Sequence, residues 1–264
     1  MLYNVPYLFE GFITISILAF VIYIWFNFKK ENFSKFVFDR MVISLAIGGA
    51  LMAVCANMGN RLFHFLSGTP WKETQGITFL AGLVGGLIGF VICFLIFLKD
   101  ERKKLLYYIN SFIAGIALAH GIGRIGCFLA GCCYGKITES FLGICFPVGS
   151  PVYYDLVHNF HLAPNIASVT KVLPTQLFEA IFCFLLFAAL LFIKKHRTNI
   201  YLISYGIFRF FIEYLRIDNR GSIGMSLSPS QLLSIVCIVL GILLFVWELL
   251  IEPRMNSKQN ESTL

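Results

Sequence analysis

Apolar runs of roughly twenty residues recur along this chain, and that recurrence constrains its fold more than any other feature. A helix rises about 1.5 Å per residue, so such a run crosses a hydrocarbon core of about 30 Å with every backbone polar group bonded internally. The runs cover residues 8–28, 41–66, 77–98, 106–130, 174–193, 200–215 and 228–250. They predict an all-α polytopic membrane protein of about seven transmembrane helices. The second and fourth runs carry polar residues near one end. The sixth is short and contains Arg209 and Glu213, so these three have the loosest bounds. Composition agrees: 58% of the 264 residues are hydrophobic and 13% charged, with a mean hydropathy of +0.80, outside the range of a soluble domain. The first run ends in Lys29-Lys30, which reverses the order found in a cleavable signal peptide, so it is expected to stay as a span.

A net charge of +7 would suit nucleic acid if it covered one surface. Here the basic residues sit in short clusters between apolar runs, where they act as topology signals, and no nucleic-acid partner is expected. Thirteen of the 21 Lys and Arg fall after the first, third and fifth runs and at the C-terminus. The alternate loops hold only Lys72, Lys136, Lys171 and Arg220. The positive-inside rule then places the chain in a bacterial cytoplasmic (inner) membrane with its N-terminus outside and its C-terminus in the cytoplasm. Residues 1–252 read as a single transmembrane domain. Within it, residues 131–173 mix Gly, Pro, Tyr and His without helical period and suggest a small extracytoplasmic cap with short strands. Residues 253–264 form a polar cytoplasmic tail.

The four remaining arginines, Arg61, Arg124, Arg209 and Arg216, lie within or at the ends of apolar runs. A charge at bilayer depth costs a few kcal/mol or more, so it is kept where it has a partner or lines a wet cavity. Guanidinium presents a planar fork of donors that suits phosphate. Together the four suggest a cavity for a phospholipid headgroup, open to the outer leaflet. The alternative for each is an ion pair with Glu179 or Glu213, or snorkelling to the interface.

The densest motif runs from His120 to Gly135: His-Gly-Ile-Gly-Arg-Ile-Gly-Cys-Phe-Leu-Ala-Gly-Cys-Cys-Tyr-Gly. While the helix continues, His120, Arg124 and Cys127 share one face. His120 is thus a candidate general base beside an arginine, with a packing histidine as the alternative. Gly123 and Gly126 allow a close backbone approach. Leu173-Pro174-Thr175-Gln176-Leu177-Phe178-Glu179 opens the fifth run with Gln176 and Glu179 near its outer end. On the sixth, Tyr205, Arg209, Glu213 and Arg216 form one polar stripe, which can also be read as an ion-pair ladder.

Of the eight cysteines, Cys55, Cys93, Cys183 and Cys237 lie in apolar runs, where Cys acts as a small hydrophobe. Cys127, Cys132, Cys133 and Cys145 lie toward the outer side. With His120, His158 and His161 they offer metal ligands, but Cys-x4-Cys-Cys lacks the Cys-x2-Cys spacing of common zinc motifs. No metal is expected, and a disulfide or redox role is the other option for this group.

These motifs resemble those of the bacterial prolipoprotein diacylglyceryl transferase family. Gly123-Arg124-Ile125-Gly126-Cys127-Phe128 with Gly131-Cys132 follows its Gly-Arg-x-Gly-Asn-Phe signature, which continues to a Gly-Glu. Gly59-Asn60-Arg61-Leu62 resembles the motif ending its second helix. Pro174-Thr175-Gln176-Leu177-Phe178-Glu179 is similar to its Pro-Ser-Gln-Leu-Tyr-Glu, and Tyr205-Gly206-Ile207-Phe208-Arg209 to its Tyr-Gly-x-x-Arg. Ser228-Pro229-Ser230-Gln231-Leu232 resembles the start of its last helix. The likeness runs from about residue 58 to 250. Departures are Val84 in place of a family histidine before Gly85-Gly86, Cys127 and Cys132 in place of Asn and Glu, and Leu173 where a histidine is frequent.

The resemblance implies transfer of the diacylglyceryl group of phosphatidylglycerol to the lipobox cysteine of a prolipoprotein, with no cofactor. On that reading Arg124 and Arg209 are catalytic and hold the phosphate. His120 joins them by its position one turn before Arg124, which lets the imidazole accept the thiol proton in place of the absent family histidine, an assignment read from this chain and not supplied by the family. Arg61, Gly123, Gly126, Cys127, Gln176, Glu179, Tyr205, Glu213 and Arg216 bind substrate or shape its cavity. The alternatives are a membrane thiol-disulfide enzyme using the outer cysteines, and an inactive lipid-binding relative.

Overall fold

The computed structural model describes residues 8–67, 75–217 and 227–251. Seven long helices stand where the apolar runs lie: α1 (Leu8–Lys30), α2 (Lys35–Ser67), α3 (Gln75–Phe97), α4 (Leu105–Ala130), α7 (Thr175–Phe192), α8 (Arg197–Ile212) and α9 (Pro229–Val246). The short helices α5 (Pro151–His158) and α6 (Pro164–Ala167) lie between α4 and α7. Leu8–Lys30, Lys35–Gly59, Lys99–Ala130, Thr175–Phe192 and Ser230–Leu250 are long and apolar enough to cross a membrane, and Ala81–Phe97 is a shorter apolar helix. The sixth run differs: α8 has 16 residues, about 24 Å of rise, and the chain then tightens into a 3-10 turn, Glu213–Leu215.

Large apolar side chains point outward along these helices, among them Ile17 (56% exposed), Leu18 (54%) and Ile22 (54%) on α1 and Leu185 (67%) on α7. In water that surface would carry a heavy cost, whereas in hydrocarbon it is the solvated face. The protein is an all-α polytopic membrane protein.

The chain folds as two compact units. The first comprises Met1–Ile24, Phe112–Asp218 and Ser234–Leu264, the second Trp25–Ser111 and Asn219–Leu233. In the second unit small residues let α3 lie close on α2: a Cβ on Gly86 would stand 2.9 Å from Met52 Cβ and 3.2 Å from the Gly48 carbonyl. Val84, where the resembled family has histidine, is 47% exposed.

In the first unit Ile113, Ala114 and Ala117 of α4 pack with Leu186 and Leu190 of α7 and Tyr201 of α8. Phe182 and Phe208 stack at 4.1 Å between α7 and α8. Asn199 of α8 donates to Glu248 Oε2 at 2.6 Å, and His196 also contacts that carboxylate.

Residues 131–173 carry two short strands, β1 (Ile144–Cys145) and β2 (Lys171–Val172), paired antiparallel with Ile144 opposite Val172. Helix α5 starts as its sequence dictates, with Ser150 accepting the Tyr153 N–H and Pro151 in the first turn. Tyr134, Phe146, Val152, Leu156, Ala167 and Val172 bury together as the core of this segment. Tyr134 also donates to Asp155 at 3.0 Å. The polar tail expected over residues 253–264 lies outside the described residues, as do Lys72 and Arg220.

Candidate functional site

Three helices of the first unit bring four predicted residues together. His120 and Arg124 stand one turn apart on α4. Glu179 is in the second turn of α7, which begins after Pro174. Tyr205 lies mid-way along α8. Arg124 Nε donates to His120 Nε2 at 3.3 Å and lies 3.1 Å from Glu179 Oε2. The Tyr205 hydroxyl donates to Glu179 Oε1 at 2.7 Å and stands 3.5 Å from His120 Nε2. His120 Nε2 is 3.5 Å from Glu179 Oε1. The imidazole and phenol rings meet edge to face at 4.9 Å.

Glu179 is fully buried, and the Arg124 guanidinium stands beside it as the countercharge a buried carboxylate needs. The Arg124 bonds all use Nε. Among the described residues, no hydrogen bond or ion pair engages its Nη groups. A guanidinium fixed along one edge presents the other as a fork of donors, the geometry that takes a phosphate. In the assigned network His120 Nε2 acts as an acceptor, which puts the proton of a neutral imidazole on Nδ1.

Four residues after Tyr205, Arg209 shares its face of α8, and its charge acts on Glu179 as well. Its Nη1 lies 2.8 Å from Glu213 Oε2, and Arg216 Nε is 3.9 Å from the same oxygen. Both arginines are buried, so the ion-pair ladder expected as an alternative is present. Backbone bonds fix its far end: Arg216 bridges to Gly135, and Lys136 N–H donates to the Leu215 carbonyl at 2.7 Å.

Arg61 belongs to the second unit. It is exposed on α2 beside an open pocket of about 410 Å³ lined by Ala53, Val54, Asn57 and Met58. The two glycines differ. A Cβ on Gly123 would meet nothing within 4 Å, while one on Gly126 would stand 2.7 Å from Phe12 Cβ of α1. Gly126 is thereby explained by helix packing.

Gln176, fully buried, donates to the Cys132 carbonyl at 2.6 Å, and Thr175 Oγ1 to the Cys133 carbonyl at 2.8 Å. These two bonds tie the start of α7 to the turn that ends α4. That turn brings Cys127, Cys132 and Cys133 together, their sulfurs all within 4.8 Å of one another. Linear spacing concealed this group. The signal for it was Gly131, whose φ of +66° ends the helix and folds the chain back. Cys145 stands apart, its thiol donating to the Val169 carbonyl. Hydrogen bonding to Cys127, then to Cys133, then burial push the Cys132 thiol up, the reverse of a thiol activated for disulfide exchange.

Comparison with known proteins gives a consistent result. Residues 8–247 match the family described as prolipoprotein diacylglyceryl transferase. The phosphatidylglycerol–prolipoprotein diacylglyceryl transferase 2 of Clostridium perfringens is 36% identical over 213 residues, 74% of this chain and 75% of the relative. The phosphatidylglycerol–prolipoprotein diacylglyceryl transferase of Clostridium tetani is 32% identical over 249 residues, 90% and 92% of the two chains. That of Chlorobaculum tepidum is 31% identical over 262 residues, 89% of this chain and 84% of the relative.

Proposed function

This chain belongs to the prolipoprotein diacylglyceryl transferase family, and from that premise we propose how its buried arginine cluster serves the reaction. The enzyme moves the diacylglyceryl group of phosphatidylglycerol to the lipobox cysteine thiol of a prolipoprotein. Sulfur forms a bond to the glyceryl carbon that bears the phosphate, the carbon–oxygen bond breaks, and glycerol phosphate leaves. An ordinary cysteine, with a pKa near 8.5, supplies little thiolate at neutral pH, so the site must accept a proton and stabilise a departing phosphate.

The observation that carries this reading is the Arg124–Glu179 pair. Glu179 fixes the guanidinium through Nε, and the Nη edge receives the phosphate oxygens. Arg209 supplies the second positive charge as the leaving group's charge grows. His120, one turn from Arg124 and beside Glu179, accepts the thiol proton. Glu179, 3.5 Å away, stabilises the imidazolium that results. Tyr205 orients the headgroup. Gly123 and Cys127 form the wall of α4 along the substrate, Gly126 seats α4 against Phe12 of α1, and Gln176, Glu213 and Arg216 hold the cavity's shape. The displacement itself requires no cofactor.

The basic clusters support an orientation with the N-terminus outside and the C-terminus in the cytoplasm, which opens the site to the outer leaflet where lipobox peptides arrive. Complementation tests the whole reading. Expression in a cell depleted of its own transferase should restore lipoprotein processing, and Arg124→Ala, inserted to the same level, should not. Full restoration by Arg124→Ala would overturn the phosphate role, and failure of the well-expressed native chain would overturn the activity.

A further inference from the structure

The three cysteines at the end of α4 form a site of their own. Helix α4 closes in a Schellman turn: the Gly131 N–H bonds the Phe128 carbonyl and the Cys132 N–H bonds the Cys127 carbonyl, both at 3.1 Å. That motif sets the residue two beyond the last helical one against the residue three before it. Here both are cysteine. Cys133 follows at a φ of +63°, a left-handed conformation that costs a non-glycine residue about 1 kcal/mol or more. It turns the third thiol back onto the first two. Thr175 and Gln176 hold the carbonyls of this turn from α7, so the cluster is fixed before any ligand arrives.

We propose that Cys127, Cys132 and Cys133 bind one soft, thiophilic metal ion as a trithiolate, with Cu(I) the ion that the ligand set fits. Three sulfurs each about 2.3 Å from a common centre stand roughly 4 Å apart, so thiols already within 4.8 Å need close by only about an ångström. Thiolate selects soft ions over hard ones. Structural zinc asks for four ligands, and among the described residues no fourth His, Cys, Asp or Glu joins these three. A three-coordinate Cu(I) thiolate uses every ligand present. The step involves no redox change: three thiols and one Cu(I) give a trithiolate complex of charge −2 and three protons, which leave to water. Arg124, whose charge acts on Cys127 and Cys133, offsets part of the negative charge that forms. A disulfide would use two of the sulfurs and strand the third.

The test uses the full-length chain, reduced, purified in detergent and titrated anaerobically with Cu(I) against a coloured Cu(I) chelator. One equivalent per chain should be withheld from the chelator. X-ray absorption at the copper edge should report three sulfur neighbours and no nitrogen or oxygen. Cys132→Ser and Cys133→Ser should each weaken retention by more than about tenfold, since losing even an outer partner of a metal ligand costs that much. Cys145→Ser, outside the cluster, should leave retention intact. No withheld copper in the native chain would overturn the proposal. So would retention unchanged in both Cys132→Ser and Cys133→Ser, or a site that takes Zn²⁺ and not Cu(I). The absorption spectrum of the native chain decides the ligand set even where a serine variant fails to fold.

Discussion

Tyr205 of α8 donates its hydroxyl proton to Glu179 Oε1 of α7 at 2.7 Å, while Oε2 of the same carboxylate lies 3.1 Å from Arg124 of α4. One buried acid therefore ties three helices together at Arg124. The energetics of the site follow from which of these ties is cut.

Tyr205→Phe removes the hydroxyl and keeps the ring that stacks on Tyr201 at 5.8 Å. Oε1 of the buried Glu179 then loses its hydroxyl donor, and a hydrogen bond to a charged group is worth about 1.5–3 kcal/mol. The expected outcome is a lower unfolding midpoint in detergent together with a loss of transfer to a lipobox peptide. A native midpoint and a native rate in Tyr205→Phe would mean that the hydroxyl neither orients Glu179 nor serves the headgroup.

Glu179→Gln cuts the other tie. It leaves the Arg124 guanidinium without its countercharge, and breaking a buried pair costs about 3–5 kcal/mol. Transfer should fall by more than about tenfold, because the guanidinium is no longer held along its Nε edge. A double-mutant cycle with Arg124→Gln isolates the pair. The double variant should be less destabilised than the two single losses added together, and simple additivity would show that the pair contributes no coupling.

The membrane helices were legible because hydrocarbon leaves one solution for a run of twenty apolar residues, and among the described residues five helices are long and apolar enough to cross where the runs predicted them. The end of the sixth was harder. Arg209, Glu213 and Arg216 break the apolar pattern there, and the chain tightens into a 3-10 turn at Glu213–Leu215. The polar residues were legible singly, since a charge in an apolar run stands out. The Arg209–Glu213 pair was legible from its i,i+4 spacing on one helix, but that Glu179 pairs with Arg124 depends on how α4 and α7 pack, which no local period encodes. The same holds for Cys127, Cys132 and Cys133, whose meeting depends on the handedness of the backbone at Gly131 and Cys133.

Gly206 follows Tyr205 directly, and a Cβ there would stand 2.8 Å from Ile238 Cγ1 and 2.9 Å from the Ser234 carbonyl of α9. Gly206→Ala should force α8 and α9 apart at a cost of about 1–3 kcal/mol and displace Tyr205 and Arg209 from Glu179. Gly123→Ala is the control, because its Cβ would meet nothing within 4 Å and alanine gains about 0.5–1 kcal/mol in a helix interior. Thermal unfolding should separate the two. Equal destabilisation would contradict the packing described for α8 and α9.

Gln176 supports the α4 end by a single donor bond. Its Nε2 reaches the Cys132 carbonyl at 2.6 Å, while its Oε1 is buried without a hydrogen-bond partner among the described residues. Gln176→Met keeps the length of the side chain and removes the donor. The Cys132 carbonyl is then unsatisfied, which costs about 1–3 kcal/mol. Gln176→Glu is closer in shape but replaces the donor by a second acceptor, and an ionised carboxylate facing that carbonyl adds repulsion and the cost of a buried charge. The Glu variant should therefore unfold at a lower temperature than the Met variant at neutral pH, although it looks the more conservative of the two. Because Gln176 and Glu179 lie three residues apart on one face of α7, loosening the first shifts the second, and transfer activity should fall in the same order. A Glu variant as stable and active as the native chain would mean that the amide donates to nothing, and that the turn carrying the three cysteines is held by Thr175 alone.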